Sequence, residues 1–295
     1  SEGLVAAGNI FMGMTESPVL IKNYLPTMNR SEIFLVMVSG MGTIAGSVMG
    51  TYIGMLGGTD PAAKVLFATH LLSASVMAVP GSIVLAKMLC PQTEEATDHV
   101  AISGKEKENS NILDAISSGT VTGVKLMTNI AAMLLVFISL VALANYITEG
   151  VIGRYTGLND WIVKITDGKA QGLTFQFILG VITSPFMWLI GVPSQDIMLV
   201  GSLLGQKTIL NEFVAYFQLQ QWKDAGLFMY EKSILMSTYI LCGFANISSI
   251  GILLGGLGVL APEKRGLISR IGLPAMIGGA LVSVLSATII GMILG

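Results

Sequence analysis

The chain has 295 residues, 53% of them hydrophobic and 12% charged, with a formal net charge of −2. A soluble domain carries about 25% charged residues, so this composition excludes an ordinary soluble globular fold, and the balanced charge gives no footing for nucleic-acid binding. The 35 glycines point the same way, because small residues let helix backbones approach closely in lipid.

The chain opens at Ser1-Glu2-Gly3 without Met or a signal peptide, and is read as lacking its native N-terminus. A transmembrane helix needs about 20 mostly apolar residues. The first apolar stretch, 3–21, is interrupted by Glu16. Gly13 lowers helix propensity there and Pro18 disfavours a helical Ser17, so a broken helix or hairpin tip is predicted near residues 12–17. Six stretches contain no Asp, Glu, Lys or Arg: 33–59, 65–86, 126–148, 170–195, 234–262 and 271–295. Segment 94–125 mixes both charges, and its second half, with apolar Ile112, Leu113, Ile116, Val121 and Val124, reads as an amphipathic helix on the membrane surface. The stretch 150–168, with Arg154, Trp161 and Lys164, reads as an interfacial external helix or loop. A further apolar stretch, 197–222, holds Lys207 and Glu212.

The short connector 263–270 contains Lys264, Arg265 and Arg270, and such loops favour the cytoplasm. Span 234–262 then begins outside. With 94–125 also inside, span 126–148 ends outside, and span 33–59 begins inside. Region 149–233 must contain an even number of crossings. Either 170–195 crosses and a second segment returns, or a re-entrant hairpin makes no full crossing.

Gly40-Met41-Gly42-Thr43-Ile44-Ala45-Gly46 can be laid beside Gly243-Phe244-Ala245-Asn246-Ile247-Ser248-Ser249. Each lies inside a long uncharged span, follows a glutamate-bearing segment and precedes a glycine-rich run. The two spans run in opposite directions, which is the arrangement of an inverted-topology repeat with interrupted helices at the binding site.

A charge at bilayer depth costs at least about 2.5 kcal/mol, so Glu16 and Glu212 are expected to face a cavity or a partner. The plain alternatives are a hydrogen bond to a neighbouring helix for Glu16, and an ion pair with Lys207 or a wet loop for Glu212. Asn246, Ser248 and Ser249 sit in an otherwise apolar span; a serine there can simply bond its own helix. His70 reads as a core or interfacial residue, Lys87 as a snorkelling one, and Cys90 and Cys242 as small apolar residues. His70 and His99 are the only histidines and lack metal-ligand spacing, and no Walker-type loop is present. No enzyme activity is therefore expected. Transport driven by an ion gradient leads, and a passive pore or an intramembrane enzyme are the competing classes.

The run Gly8-Asn9-Ile10-Phe11-Met12-Gly13-Met14-Thr15-Glu16-Ser17-Pro18 resembles the first hairpin tip of the concentrative nucleoside transporters. Lys207-Thr208-Ile209-Leu210-Asn211-Glu212-Phe213-Val214-Ala215-Tyr216 resembles the second tip, and Tyr239 to Gly251 the family's second broken helix. The resemblance implies an all-α polytopic membrane protein with inverted repeats, two re-entrant hairpins and two broken helices. It implies a homotrimer in the plasma membrane (a bacterial inner membrane), with an elevator-like movement of a transport domain, mainly 1–121 and 171–295, against a scaffold, mainly 122–170. Thr15 and Glu16 would hydrogen-bond the nucleobase, Val48 would touch it, Glu212, Asn246 and Ser249 would hold the ribose hydroxyls, and Phe244 would line the pocket. Asn9, Met12, Thr43 and Ile44 would hold sodium as the coupling ion, with no other cofactor; proton coupling is the variant. Met14 stands where the family has a base-contacting Gln, which implies a shifted base preference.

Overall fold

The computed structural model describes residues 2–94, 111–166, 168 and 170–295, and among these no strand occurs. In chain order the helices are α1 (Glu2–Gly8), α2 (Arg30–Gly42), α3 (Gly46–Gly57), α4 (Pro61–Leu89), α5 (Ile112–Asn145), α6 (Arg154–Thr156) and α7 (Leu158–Ile165). They are followed by α8 (Phe175–Leu189), α9 (Ile197–Ile209), α10 (Glu212–Asp224), α11 (Glu231–Leu241), α12 (Ile247–Leu260) and α13 (Arg265–Ile293). A 3₁₀ turn covers Ser17–Ile21, and a π-helical stretch, Tyr146–Gly153, extends α5. The runs Arg30–Gly57, Pro61–Leu89 and Pro262–Ile293 are each long and apolar enough to cross a membrane. The chain is a multi-pass helical membrane protein.

Both broken helices are present. Asn29 starts α2 with a reciprocal cap: its side chain accepts from the Glu32 amide at 3.0 Å, and the Glu32 carboxylate accepts from the Asn29 amide at 2.8 Å. The helix stops at Gly42, passes through extended Thr43 and Ala45, and resumes as α3. The second break runs from Cys242 to extended Asn246, between α11 and α12. The seven-residue alignment had set Thr43 against Asn246. The structure corrects that register: Thr43 closes the incoming half-helix, whereas Asn246 opens the outgoing one. The second break is the longer of the two, so an ungapped alignment cannot match both ends.

Two hairpins precede these breaks. In the first, α1 leads into the tip and the chain returns through the Pro18 turn. In the second, α9 and α10 are joined at Leu210-Asn211, and Asn211 caps α10 by accepting from the Val214 amide at 2.9 Å. The uncharged run 170–195 is not one span. It holds the 15-residue α8 and a turn through Gly191, whose φ of +84° favours glycine. Helices α8, α9 and α10 contain 15, 13 and 13 residues. All are short of the about 20 needed to span, so region 149–233 takes the re-entrant form. The surface helix expected over 112–126 is likewise not separate: α5 runs unbroken for 34 residues.

The chain divides into two compact units, 101–175 and the remainder, 1–100 with 176–295. In the smaller, Asn159 ties the loop: its side chain donates to the Glu149 carbonyl at 2.9 Å and accepts from the Leu173 amide at 3.0 Å. Helix α7 buries Ile162 and exposes Trp161. In the larger unit α2 is buried on every side from Ser31 to Gly42, as a helix that is apolar all round must be. At the end of α4, Lys87 does not reach only for solvent: it pairs with Glu2 at 2.9 Å.

The two breaks meet backbone to backbone. The Phe244 amide donates to the Thr43 carbonyl at 3.2 Å. A Cβ on Gly243 would lie 2.7 Å from Ser283 Oγ, 2.9 Å from the Met41 carbonyl oxygen and 3.1 Å from the Gly42 carbonyl carbon. Two of these obstacles are main chain and cannot swing away. Gly243→Ala is therefore expected to cost about 1–3 kcal/mol by overpacking, read as a lower thermal unfolding midpoint in detergent. An unchanged midpoint would show that the crossing is looser than this.

Candidate functional site

Breaking a helix inside a membrane leaves carbonyls unpaired on one side of the gap and amides on the other. At the second break the carbonyls are met by side chains from three elements. The Tyr216 hydroxyl donates to the Thr238 carbonyl at 2.8 Å, the Lys207 ammonium to that of Ile240 at 2.7 Å, and the Ser283 hydroxyl to that of Cys242 at 3.1 Å. The ammonium suits the negative end of the α11 dipole. Lys207 also donates to Ser283 Oγ at 3.1 Å, so the expected alternative of a Lys207–Glu212 ion pair is not formed.

The amide side is organised by Asn246. Its Oδ1 accepts from the Ser249 amide at 2.9 Å, the Ser249 hydroxyl at 3.1 Å and the Ser248 hydroxyl at 2.6 Å, as an N-cap does. Its Nδ2 is then free to donate to Glu212 Oε2 at 2.8 Å. The Tyr52 hydroxyl approaches Glu212 Oε1 at 3.5 Å, and the Tyr52 ring stacks on Tyr216 with centroids 4.0 Å apart. Glu212 is 8% exposed and is the first residue of α10, where the dipole favours a negative charge. A carboxylate offers about four acceptor positions. These contacts use about two, so the group is held still with acceptor capacity left for a ligand's hydroxyls.

The first break carries a different donor set. Asn9 is fully buried, and its Nδ2 donates to Ser39 Oγ at 3.1 Å. Its Oδ1 is buried without a hydrogen-bond partner, which a buried acceptor rarely is. The Thr43 hydroxyl spends its proton on the Ser39 carbonyl at 3.0 Å, which leaves its lone pairs to accept. Thr43 and Ile44 are buried. An orphaned buried amide oxygen, on a side chain that bonds the same Ser39 as the Thr43 hydroxyl does, suits a hard cation at this helix break.

The first hairpin tip is pinned beside this break, with the Gly46 amide donating to the Phe11 carbonyl at 3.0 Å. Met12 follows in the same tip. Met14 is buried against α2, close enough that a Cβ on Gly40 would meet its own Cβ at 2.9 Å. Thr15 packs its methyl near Gly256 of α12. The Glu16 carboxylate lies over Gly13, is exposed, and makes no hydrogen bond among the described residues. Val48 is half-buried, and Phe244 packs against both apolar clusters of the larger unit. The structure thus joins Glu212, Asn246 and Ser249 directly, and among the described residues no hydrogen bond ties Glu16 to them.

Sequence reasoning missed four participants. Tyr52 follows Val48 by one helical turn, so the i, i+4 spacing could have flagged it. Tyr216 and Ser283 carried no such signal. Asp196 is fully buried and accepts from the Met229 and Tyr230 amides at 3.0 and 3.1 Å. It fixes the loop that leads into α11.

A family model described as the C-terminus of Na+ dependent nucleoside transporters matches residues 70–291. An uncharacterized transporter of Haemophilus influenzae is 39% identical over 298 residues, spanning 100% of this chain and 66% of its own length. Sodium/nucleoside cotransporter 1 of Rattus norvegicus is 39% identical over 307 residues, spanning 99% of this chain and 44% of its own length. Nucleoside permease NupC of Helicobacter pylori is 38% identical over 297 residues, spanning 100% of this chain and 65% of its own length. Among solved structures, inward-facing, substrate-bound CNTnw superposes with a TM-score of 0.84 at 36% identity, over 99% of this chain and 64% of that one. An outward-facing CNTnw variant gives 0.87 at 36% identity, over 99% and 65%. The chain therefore spans about two thirds of the bacterial relatives and less than half of the mammalian one.

Proposed function

The chain belongs to the family of sodium-dependent nucleoside transporters, and on that premise we propose that it is the larger part of a symporter that moves nucleosides into the cell. The observation that carries this is the arrangement Tyr52–Glu212–Asn246–Ser249 at the second helix break. A fixed carboxylate beside an amide, inside a membrane protein, is suited to a neutral ligand with vicinal hydroxyls, and a ribose presents such a pair. In this reading Glu212, Asn246 and Ser249 hold the sugar, Phe244 and Val48 flank the ligand, and Met14, Thr15 and Glu16 face the base. Met14 brings a thioether where an amide would supply paired polar atoms, so base selection falls to Thr15 and Glu16. The exposure of Glu16 leaves its carboxylate available to a ligand.

Sodium is the coupling ion in this reading, held by Asn9 Oδ1, the Thr43 hydroxyl and the carbonyls of Met12 and Ile44. The orphaned Asn9 oxygen supports it, as do the sodium cotransporters among the relatives. Movement is elevator-like, with the larger unit carrying the site. Likeness to both inward- and outward-facing relatives supports that motion. The working form is a homotrimer in the plasma membrane.

Uptake of radiolabelled uridine and adenosine by the full-length protein tests the reading. Accumulation above the external concentration, lost when sodium is replaced at constant pH, is expected. Full uptake in sodium-free buffer that rises as pH is lowered would instead establish proton coupling. Equilibration without accumulation would establish a pore.

A further inference from the structure

Lys207 is fully buried, and neither carbohydrate recognition nor cation binding as read above uses it. Burying an ammonium is costly unless its donors are met. Here two of its three are directed at the Ile240 carbonyl, 2.7 Å away, and Ser283 Oγ, 3.1 Å away. Those partners lie at the open end of α11 and on α13.

The position is what matters. Lys207 sits near the end of α9, and Glu212 begins α10 on the other side of the hairpin tip. Ile240 lies in the last turn of α11, and Asn246 caps the start of α12 on the other side of the break. The contacts 207–240 and 212–246 are therefore two rungs between the same two interrupted segments, one on each side of the gap. The outer rung, Glu212–Asn246 at 2.8 Å, is where the ligand is read to bind. The inner rung, Lys207–Ile240, touches no ligand-facing group. The Tyr216–Thr238 contact at 2.8 Å ties α10 to the same open end.

We propose that Lys207 is a positioning residue, which locks the second hairpin to the open end of α11 through Ile240 and Ser283 and so fixes the Glu212–Asn246 pair for the ligand. The proposal rests on the reading of that pair as the sugar site. A methionine at 207 keeps the volume and removes the buried charge, and leaving the Ile240 carbonyl without its donor costs a modest share of the protein's stability. The protein is therefore expected to remain in the membrane, with its outer rung loosened.

The test compares the full-length parent with Lys207→Met, Ser283→Ala and the double variant. It measures membrane abundance, KM and Vmax for uridine, and the preference for uridine over 3′-deoxyuridine. Lys207→Met is expected to raise KM about tenfold and to shrink the preference for the intact ribose, because the acceptors for the hydroxyls are no longer held still. Ser283→Ala should move both in the same direction by less, and the double variant should add little to Lys207→Met, since the two act through one contact. A merely structural lysine would change abundance and Vmax and leave KM and the preference alone; that result overturns the proposal. If Lys207→Met does not reach the membrane, Ser283→Ala decides, and an unchanged KM and preference there also overturns it. A parent that takes up neither uridine nor adenosine would sink the transport reading itself. A transporting parent with an indifferent Lys207→Met sinks the positioning role alone.

Discussion

Glu212→Gln is expected to lower uptake efficiency by about 100-fold or more while leaving membrane abundance unchanged. The carboxylate accepts on both oxygens, from Asn246 Nδ2 at 2.8 Å and from the Tyr52 hydroxyl at 3.5 Å. An amide at this position has one acceptor and one donor. Turned one way, its NH₂ meets the Asn246 NH₂; turned the other, it faces the Tyr52 hydroxyl and leaves a single acceptor for the ligand. Hydrogen bonds to a charged group contribute about 1.5–3 kcal/mol each, and each 1.4 kcal/mol is about tenfold. Losing the charge from two hydroxyl contacts therefore reaches two orders of magnitude. Uptake within a few-fold of the parent, at equal abundance, would remove Glu212 from the ligand site.

Asn246→Asp separates two duties that one side chain performs. Asp is as good an N-cap as Asn, so the bonds from Ser249 and Ser248 to Oδ1 survive. The second oxygen then replaces Nδ2 and faces Glu212 Oε2 across a gap now 2.8 Å. Two like charges 4 Å apart repel by roughly 4 kcal/mol at an effective dielectric of about 20, and these would be closer. Asn246→Asp is expected to abolish uptake and to lower the thermal midpoint. Combining it with Glu212→Gln exchanges the amide and the carboxylate and restores a donor–acceptor pair. The midpoint should recover in the double variant, while uptake should not, because the ligand's acceptor has moved to the other side of the break. A double variant no more stable than Asn246→Asp would show that the two side chains do not interact as described.

Much of this was legible in the sequence because lipid imposes a simple rule. A run with no charge must be buried, and a charge inside one must have a purpose. That rule located α2 with α3, α4, α11 with α12, and α13, and it singled out Glu212. It failed where absence of charge was equated with continuity. Residues 170–195 carry no charge, yet Gly191 and Pro193 turn the chain after α8. It failed in the opposite sense at α5, where Asp114 and Lys125 suggested a separate surface segment although nothing between them breaks a helix. Side-chain partners were harder still. Lys207 and Glu212 are five residues apart, which suggested a pair. The tip at Leu210-Asn211 puts them on different arms, and the lysine finds its partners 33 and 76 positions away. No local pattern encodes such a contact.

The closure of the α11 end has a consequence for how the protein is made. Its carbonyls are met by Lys207 and Tyr216, which are synthesised before the break, and by Ser283, which comes 41 residues after Cys242. Until α13 enters the bilayer, the Cys242 carbonyl lacks its hydroxyl and the Lys207 ammonium lacks one acceptor. The Cβ-free face of Gly243 also waits for the same helix, which brings Ser283 against it and sets its own Gly279 against Met41. The contacts around this break therefore cannot all form while the second hairpin and α11 are being inserted. They are completed by α13, so a nascent chain halted before that helix would hold the second hairpin and Glu212 without the bonds that Ser283 makes with Cys242 and Lys207.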